Sequence, residues 1–308
     1  MARTSKAKTP ASGTRRLTGL IAAPYTPFDR HGDVNLAVVR QQADLLVKHR
    51  VRGAFVSGTT GEGVSCTVAE RKAVMEEWVR RGRGRLVVIA HVGALSVRDS
   101  QDLAAHAQHA GADAISIVPP NYFKPASIEA LIAHINAVAS AAPRLPFYYY
   151  HTTMSGVDLP MAKFLEAADG RIPTLAGLKF NSPDLYEYQN CLRACGGKYD
   201  VAWGVDEFLA GAIALGARSA VGSTYNYAAP LHYQIWKDVE AGRHADARAG
   251  MARVCRIVDI LGQYGGIAAG KAMMAVHGVD VGDPRTPLRA LTVGEKADVV
   301  RRLRDILG

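Results

Sequence analysis

The stretch LVVIAHVGALSVRDSQDLAAHAQHAGADAISIV, residues 86–118, holds the fold in miniature. Leu86–Val92 and Asp113–Val118 are short runs rich in β-branched residues, the composition of strands buried in a sheet. Between them lies a helix-length amphipathic segment at 97–110. A strand, a helix and a strand in that order read as parallel strands joined by a crossover helix.

The same alternation runs along the chain. Strands are expected at Leu17–Ala23, Gly53–Ser57, Leu86–Val92, Asp113–Val118, Leu145–Tyr150, Leu175–Lys179, Val201–Gly204 and Arg218–Gly222. Helices are expected at 34–50, 67–82, 97–110, 127–142, 159–169, 184–195, 206–216 and 226–240. Eight such units in about 220 residues match the count and length of a closed (β/α)8 TIM barrel. An open doubly wound sheet would carry a Gly-rich phosphate turn after its first strand. Here that strand runs into Ala23-Pro24-Tyr25-Thr26-Pro27, which cradles no phosphate. Residues 243–307 keep a helical period broken at Gly265-Gly266 and Gly278–Pro287, with no linker-like stretch before them. The expected organisation is a disordered basic tail over 1–16, a catalytic barrel over 17–240 and C-terminal helices packed on it over 241–308.

The composition of the 308 residues, 48% hydrophobic and 21% charged, is that of an ordinary globular chain with material for one large core. The net charge of +9 suggests nucleic acid until it is located. Arg3, Lys6, Lys8, Arg15 and Arg16 stand in the leader MARTSKAKTPASGTRR, and without them about +4 remains. The leader lacks the apolar core of a secretory signal, and no stretch approaches the ~18 apolar residues of a membrane span. The expectation is a cytoplasmic protein that binds neither nucleic acid nor membrane. Cys66, Cys191, Cys195 and Cys255 are few for a disulfide scaffold. Cys191 and Cys195 read as small buried apolar residues, since no third ligand stands near to complete a metal site.

Catalytic groups of a parallel barrel stand at the C-terminal ends of its strands. Strand 2 ends in Gly58-Thr59-Thr60-Gly61-Glu62-Gly63, strand 4 in Pro119-Pro120-Asn121-Tyr122 and strand 5 in Tyr148-Tyr149-Tyr150-His151. Strand 6 ends in Gly177-Leu178-Lys179-Phe180, strand 7 in Gly204-Val205-Asp206-Glu207 and strand 8 in Gly222-Ser223-Thr224-Tyr225. A lysine closing an apolar strand inside a barrel mouth is costly to bury charged and tends toward the neutral, nucleophilic amine. Such an amine condenses with a ketone, and the imine draws electrons from the adjacent carbon–carbon bond. Lysines at strand ends also simply reach solvent, so the neighbours decide. Tyr150 ends the adjacent strand, where its hydroxyl can shuttle protons to Lys179. Alternation puts Tyr148 and Tyr150 on one face and Tyr149 on the other, although all three can equally serve as wall packing. The turn Gly58–Gly63 offers backbone N–H groups and two hydroxyls without a lysine, which suits a carboxylate better than a triphosphate; it can also be only a turn. Asp206 and Glu207, with Ser223, suit a polyhydroxylated chain, and they equally suit helix capping. His91 reads as core.

Taken together, Gly58–Glu62, Tyr122, Phe147–His151, Gly177–Lys179 and Gly222–Asn226 resemble the dihydrodipicolinate synthase / N-acetylneuraminate lyase family over nearly the whole chain from residue 17. The resemblance implies a homotetrameric barrel, class I aldolase chemistry joining or separating pyruvate and an aldehyde, and no metal or organic cofactor. By position, Lys179 resembles the Schiff-base lysine and Tyr150 the proton-shuttling tyrosine. Thr59 and Tyr122 resemble its hydroxyl partners, with Tyr122 reaching in from a neighbouring subunit. Thr59 and Thr60 resemble the binders of the pyruvate carboxylate. Phe180, Asp184-Leu185-Tyr186 and Gly204–Glu207 are most similar to the sialic acid lyase branch, in which Asn181, Gly204, Asp206, Glu207 and Ser223 would line the sugar site. Dihydrodipicolinate synthases carry an arginine in the loop after the tyrosine; here that loop reads His151-Thr152-Thr153-Met154-Ser155-Gly156. It lacks the usual proline and is one residue short, and Asn181 replaces the usual Thr or Ser. The function expected is cleavage of N-acetylneuraminate or a similar 2-oxo-3-deoxy sugar acid. Another pyruvate aldolase or a dehydratase of the same family comes second, and dihydrodipicolinate synthesis third. A catalytically silent barrel that senses a keto acid is the reading from a different class.

Overall fold

The computed structural model describes residues 16–308, so the basic tail expected over 1–16 lies outside the described residues except for Arg16. Eight parallel strands close a barrel in chain order: β1 (Gly19–Ala22), β2 (Gly53–Val56), β3 (Val87–His91), β4 (Ala114–Ile117), β5 (Phe147–Thr152), β6 (Leu175–Asn181), β7 (Asp200–Trp203) and β8 (Ser219–Gly222), with β8 paired to β1. Outside them lie α1 (Leu36–Lys48), α2 (Val68–Gly82), α3 (Val97–Ala110), α4 (Ile128–Ala139), α5 (Met161–Ala168), α6 (Leu185–Arg193), α7 (Leu209–Ala214) and α8 (Tyr225–Glu240). All eight expected strands and helices form. Several helices start on side chains that accept an otherwise orphaned N–H: Ser96 before α3, Ser127 before α4, Asp184 before α6, and Thr67 with Glu70 as a reciprocal pair before α2.

Three further helices follow, α9 (His244–Tyr264), α10 (Gly266–Met273) and α11 (Val293–Leu307). Their apolar faces bury Val254, Ile257, Ala269, Met273 and Leu303 together with Tyr25, Tyr227 and Ile235 from the barrel's first and last units. The extension is thereby anchored beside the β1 and β2 loops.

The boundaries differ from expectation where pairing or conformation overrides composition. Both β5 and β6 run two residues past Tyr150 and Lys179, because His151 stays in register with Phe180 and Thr152 with Asn181. His151 and Thr152 therefore belong to a strand, and the loop after β5 is only a tight turn at Thr153–Ser155 closed by Gly156. Helix α6 stops at Arg193 because Cys195 and Gly196 adopt left-handed conformations. Cys191 is buried as expected, whereas Cys195 is only half-buried; all four cysteines are free thiols.

The barrel interior is filled by Leu17, Ile21, Phe55, Ile89, Ala114, Tyr148, Tyr150, Ala202 and Val221, in the layered manner of a packed barrel. At the N-terminal end Asp200 closes it, accepting from the Leu17 N–H at 2.7 Å and the Tyr148 hydroxyl at 3.2 Å. Burial pushes the Asp200 carboxyl above the usual carboxylate range. Gly177 is needed beside it, since a Cβ there would collide with the Asp200 backbone carbonyl. Gly177→Ala is expected to cost about 3 kcal/mol, the upper range for overpacking against backbone. A thermal melt of the variant measures it, and an unshifted transition would show that β6 and β7 can move apart freely.

Candidate active site

Period-two alternation decides which side chains meet inside the barrel. Tyr148 and Tyr150 point inward, while Tyr149 packs outward on Phe164 with ring centroids 5.3 Å apart. Lys179 lies in register with Tyr150 on one side and Ala202 on the other. It is 7% exposed, with Nζ 3.9 Å from the centroid of the Tyr150 ring and 4.6 Å from that of Phe55. The two rings meet edge-on at 5.7 Å. Among the described residues the lysines in ion pairs are Lys72, Lys198, Lys271 and Lys296, so the Lys179 amine has aromatic faces where those have carboxylates. No carboxylate among the described residues holds that amine, which leaves it open to an incoming group.

The Tyr150 phenol is shifted to favour proton transfer. Burial opposes its ionisation, but the charge of Lys179 and the polar groups of Thr59, Lys179 and Thr152 around it outweigh it and hold the phenol below its ordinary value. Thr152, two residues on and so on the same face, is a partner that motif reading passed over. Phe55, the floor beneath the amine, sits mid-strand in β2 with nothing in sequence to mark it.

Beside this pair stands the turn after β2. Ser57 and Glu62 bracket it in left-handed conformations, φ 58° and 52°. The Gly61 carbonyl accepts from the Thr26 hydroxyl at 2.6 Å, Glu62 N–H donates to Thr59 O at 3.0 Å, and Gly63 N–H to Gly58 O at 3.2 Å. Among the described residues, the N–H groups of Thr59, Thr60 and Gly61 donate to no protein acceptor. Successive free N–H groups beside two accessible threonine hydroxyls form a cradle of donors that can receive an anion such as a carboxylate.

His91 braces that cradle from below. Its Nε2 accepts the Val118 N–H at 3.0 Å, which places the ring proton on Nδ1, toward the Ser57 carbonyl. Burial first, then the charges of Arg71 and Lys179, hold its pKa well below the usual histidine range. The core reading of His91 fits this neutral strut.

The side of the mouth formed by β6, β7 and β8 is polar. Asn181, half-buried, donates to Thr152 Oγ1 at 3.0 Å, and Gly204 packs its bare Cα against the Asn181 side chain. Asp206 is buried, and its Oδ2 accepts from both the Thr224 N–H (3.0 Å) and hydroxyl (2.6 Å). Since that hydroxyl spends its proton on Asp206, His232 Nε2 must donate to Thr224 Oγ1 across 2.8 Å. Asp206 thus secures the start of α8 rather than capping the short helix in which it lies, leaving Oδ1 without a protein partner. Gly222 faces it with no room for a Cβ. Glu207 and Ser223 are half-exposed, and burial, with the charge of Asp206, raises the Glu207 carboxyl above its ordinary value. The structure brings Lys179, Tyr150 and Thr59 together. Tyr122, in contrast, stands 78% exposed on the loop after β4, edge-on to Phe123 at 4.9 Å.

The family model described as the dihydrodipicolinate synthetase family matches residues 16–306. N-acetylneuraminate lyase of Xenopus tropicalis is 43% identical over 292 residues, covering 93% of this chain and 95% of that protein. The Mus musculus N-acetylneuraminate lyase is 41% identical over 298 residues, 95% and 93% of the two chains. Among solved structures, Proteus mirabilis N-acetylneuraminate lyase superposes with a TM-score of 0.93 at 49% identity, covering 95% of this chain and 99% of its own. That of Aliivibrio salmonicida gives 0.94 at 49% identity, covering 95% and 98%.

Proposed function

The chain belongs to the dihydrodipicolinate synthetase family, and on that premise we propose that Lys179, Tyr150 and the Thr59–Gly61 turn cleave N-acetylneuraminate, or a similar 2-oxo-3-deoxy sugar acid, to pyruvate and an aldehyde. It is a carbon–carbon lyase of the class I aldolase type, acting between pyruvate and an aldehyde. The observation that carries the residue assignment is the Lys179 amine 3.9 Å above the Tyr150 ring in a buried barrel mouth.

The chemistry follows from those positions. The substrate carboxylate lies on the N–H groups and hydroxyls of Thr59 and Thr60, which sets its ketone before Lys179. The amine adds to C2 and water leaves, forming an imine that carries positive charge on nitrogen. As the C3–C4 bond breaks, its electron pair moves into that imine to give an enamine. The C4 hydroxyl loses its proton through Tyr150, and C4 becomes the aldehyde carbon. Return of the proton to C3 and hydrolysis of the imine release pyruvate and restore Lys179.

Asn181, Gly204, Asp206, Glu207 and Ser223 are proposed to receive the hydroxylated chain, with the partly exposed Asn181, Gly204, Glu207 and Ser223 at the lip and the buried Asp206 carboxylate behind them. The turn after β5, Thr153–Gly156, offers no arginine for a second carboxylate, which favours this reading over dihydrodipicolinate synthesis. The exposed Tyr122–Phe123 pair supports a homotetramer in which Tyr122 reaches a neighbour's site, and four free thiols suit a cytoplasmic setting. The catalytic unit is proposed as 17–240, buttressed by 241–308.

Pyruvate release from a panel of 2-oxo-3-deoxy sugar acids tests the assignment. N-acetylneuraminate is expected to be turned over. Release confined to shorter keto acids, or condensation of pyruvate with aspartate semialdehyde in its place, would overturn it.

A further inference from the structure

Behind the cradle, and outside the machinery described so far, lies a buried ion pair. Lys271 on α10 and Glu62 in the β2 turn are each 1% exposed at the side chain, with Nζ 2.8 Å from Oε1. The approach lies off the hydrogen-bonding directions of that oxygen, so the pair is held by charge and distance; the directed bond of Nζ goes to the Asp283 carbonyl at 3.1 Å. The other carboxylate oxygen accepts the Arg285 N–H at 2.9 Å. Phe28 lies under both cations, 4.1 Å from Lys271 Nζ and 4.4 Å from the Arg285 guanidinium.

Stability alone is a poor reason for such a pair, because desolvation of two charges consumes most of their attraction and an apolar replacement is commonly neutral. Glu62 supplies a better one. Its left-handed backbone is unfavourable for a residue with a side chain, and such conformations persist only where surroundings over-determine them. Here the surroundings are Lys271 and Arg285, both from the C-terminal extension. The free N–H groups of Thr59, Thr60 and Gly61 immediately precede the residue so held.

We propose that Lys271 is a positioning residue: from the C-terminal helices it holds Glu62, and through Glu62 the turn that aims three N–H groups at an α-keto carboxylate. This rests on the carboxylate-cradle reading above. Burial lowers the Lys271 pKa below the ordinary lysine value, and the neighbouring Glu62 carboxylate offsets part of that fall.

The test compares two ketones that differ only in the carboxylate, pyruvate and methyl pyruvate, by the concentration giving half-maximal borohydride trapping on Lys179. Lys271→Met removes the cation, and Lys271→Met with Glu62→Gln removes both charges so that no bare carboxylate is buried. In both variants the pyruvate concentration is expected to rise about tenfold or more, the scale of one misplaced charge-assisted hydrogen bond. Methyl pyruvate should stay within about twofold, since its capture needs no charge recognition. Unchanged pyruvate capture in the folded double variant, or equal weakening of both ketones, overturns the proposal. If the unmodified enzyme captures both ketones equally, the cradle reading itself fails and the positioning role falls with it.

Discussion

Lys179→Ala is expected to lower kcat/KM for pyruvate release by at least about 1000-fold, roughly 4 kcal/mol of transition-state stabilisation at about 1.4 kcal/mol per tenfold. The magnitude follows from what the residue does: without a covalent bond to C2 there is no imine, and the electron pair of the breaking C3–C4 bond has no sink. Binding and the cradle survive, so KM should move far less than kcat. Intact mass after borohydride treatment with pyruvate reads the same event directly. The wild type gains one reduced pyruvyl group and the variant gains none. Because Lys179 contacts aromatic faces and no carboxylate, its removal leaves a cavity without a stranded charge, and the variant should fold. Turnover within tenfold of the wild type would exclude imine chemistry altogether.

Tyr150→Phe is expected to lose about 100- to 10,000-fold in kcat, the range for a positioned acid–base group. The substitution keeps the ring beneath Lys179 and removes only the hydroxyl, so imine trapping should persist while carbon–carbon cleavage fails. A pH profile separates this from a packing defect. The Tyr150 ionisation is held below the ordinary phenol value by the charge of Lys179 and the polar groups around it, despite burial. The C4 hydroxyl proton is accepted by the ionised phenol, which then returns it to C3, so kcat/KM should rise with pH along a limb set by that ionisation. In Tyr150→Phe that limb should vanish. A profile identical in shape between the two proteins would move the relay to another group.

The architecture was legible because two periods dominate the chain. Alternation alone separates Tyr148 and Tyr150 from Tyr149, and the structure divides them that way, two in the barrel and one against Phe164. What composition cannot show is where pairing ends. Nothing in His151-Thr152 announces that β5 continues beside Phe180-Asn181, so Thr152 escaped notice as a partner of the tyrosine. Asp206 reads as a helix cap from its place after a strand. Its buried carboxylate instead serves a different helix through Thr224, a link between two distant segments. Lys271 is further out of reach, since a lysine on an amphipathic helix looks solvated until the fold sets it against Glu62. Local readings capture what lies on one strand, and they miss what is assembled across the mouth.

The fit of Gly222 against the Asp206 carboxylate bounds how this enzyme can be re-engineered. Any larger side chain at that position displaces the acid and, with it, the first turn of α8 that Thr224 begins. Libraries aimed at new aldehyde partners should therefore leave Gly222 and Asp206 fixed and vary Asn181, Glu207 and Ser223, which stand half-exposed at the rim. On the proposed assignment of those residues, acceptor tolerance would be tuned from the lip inward.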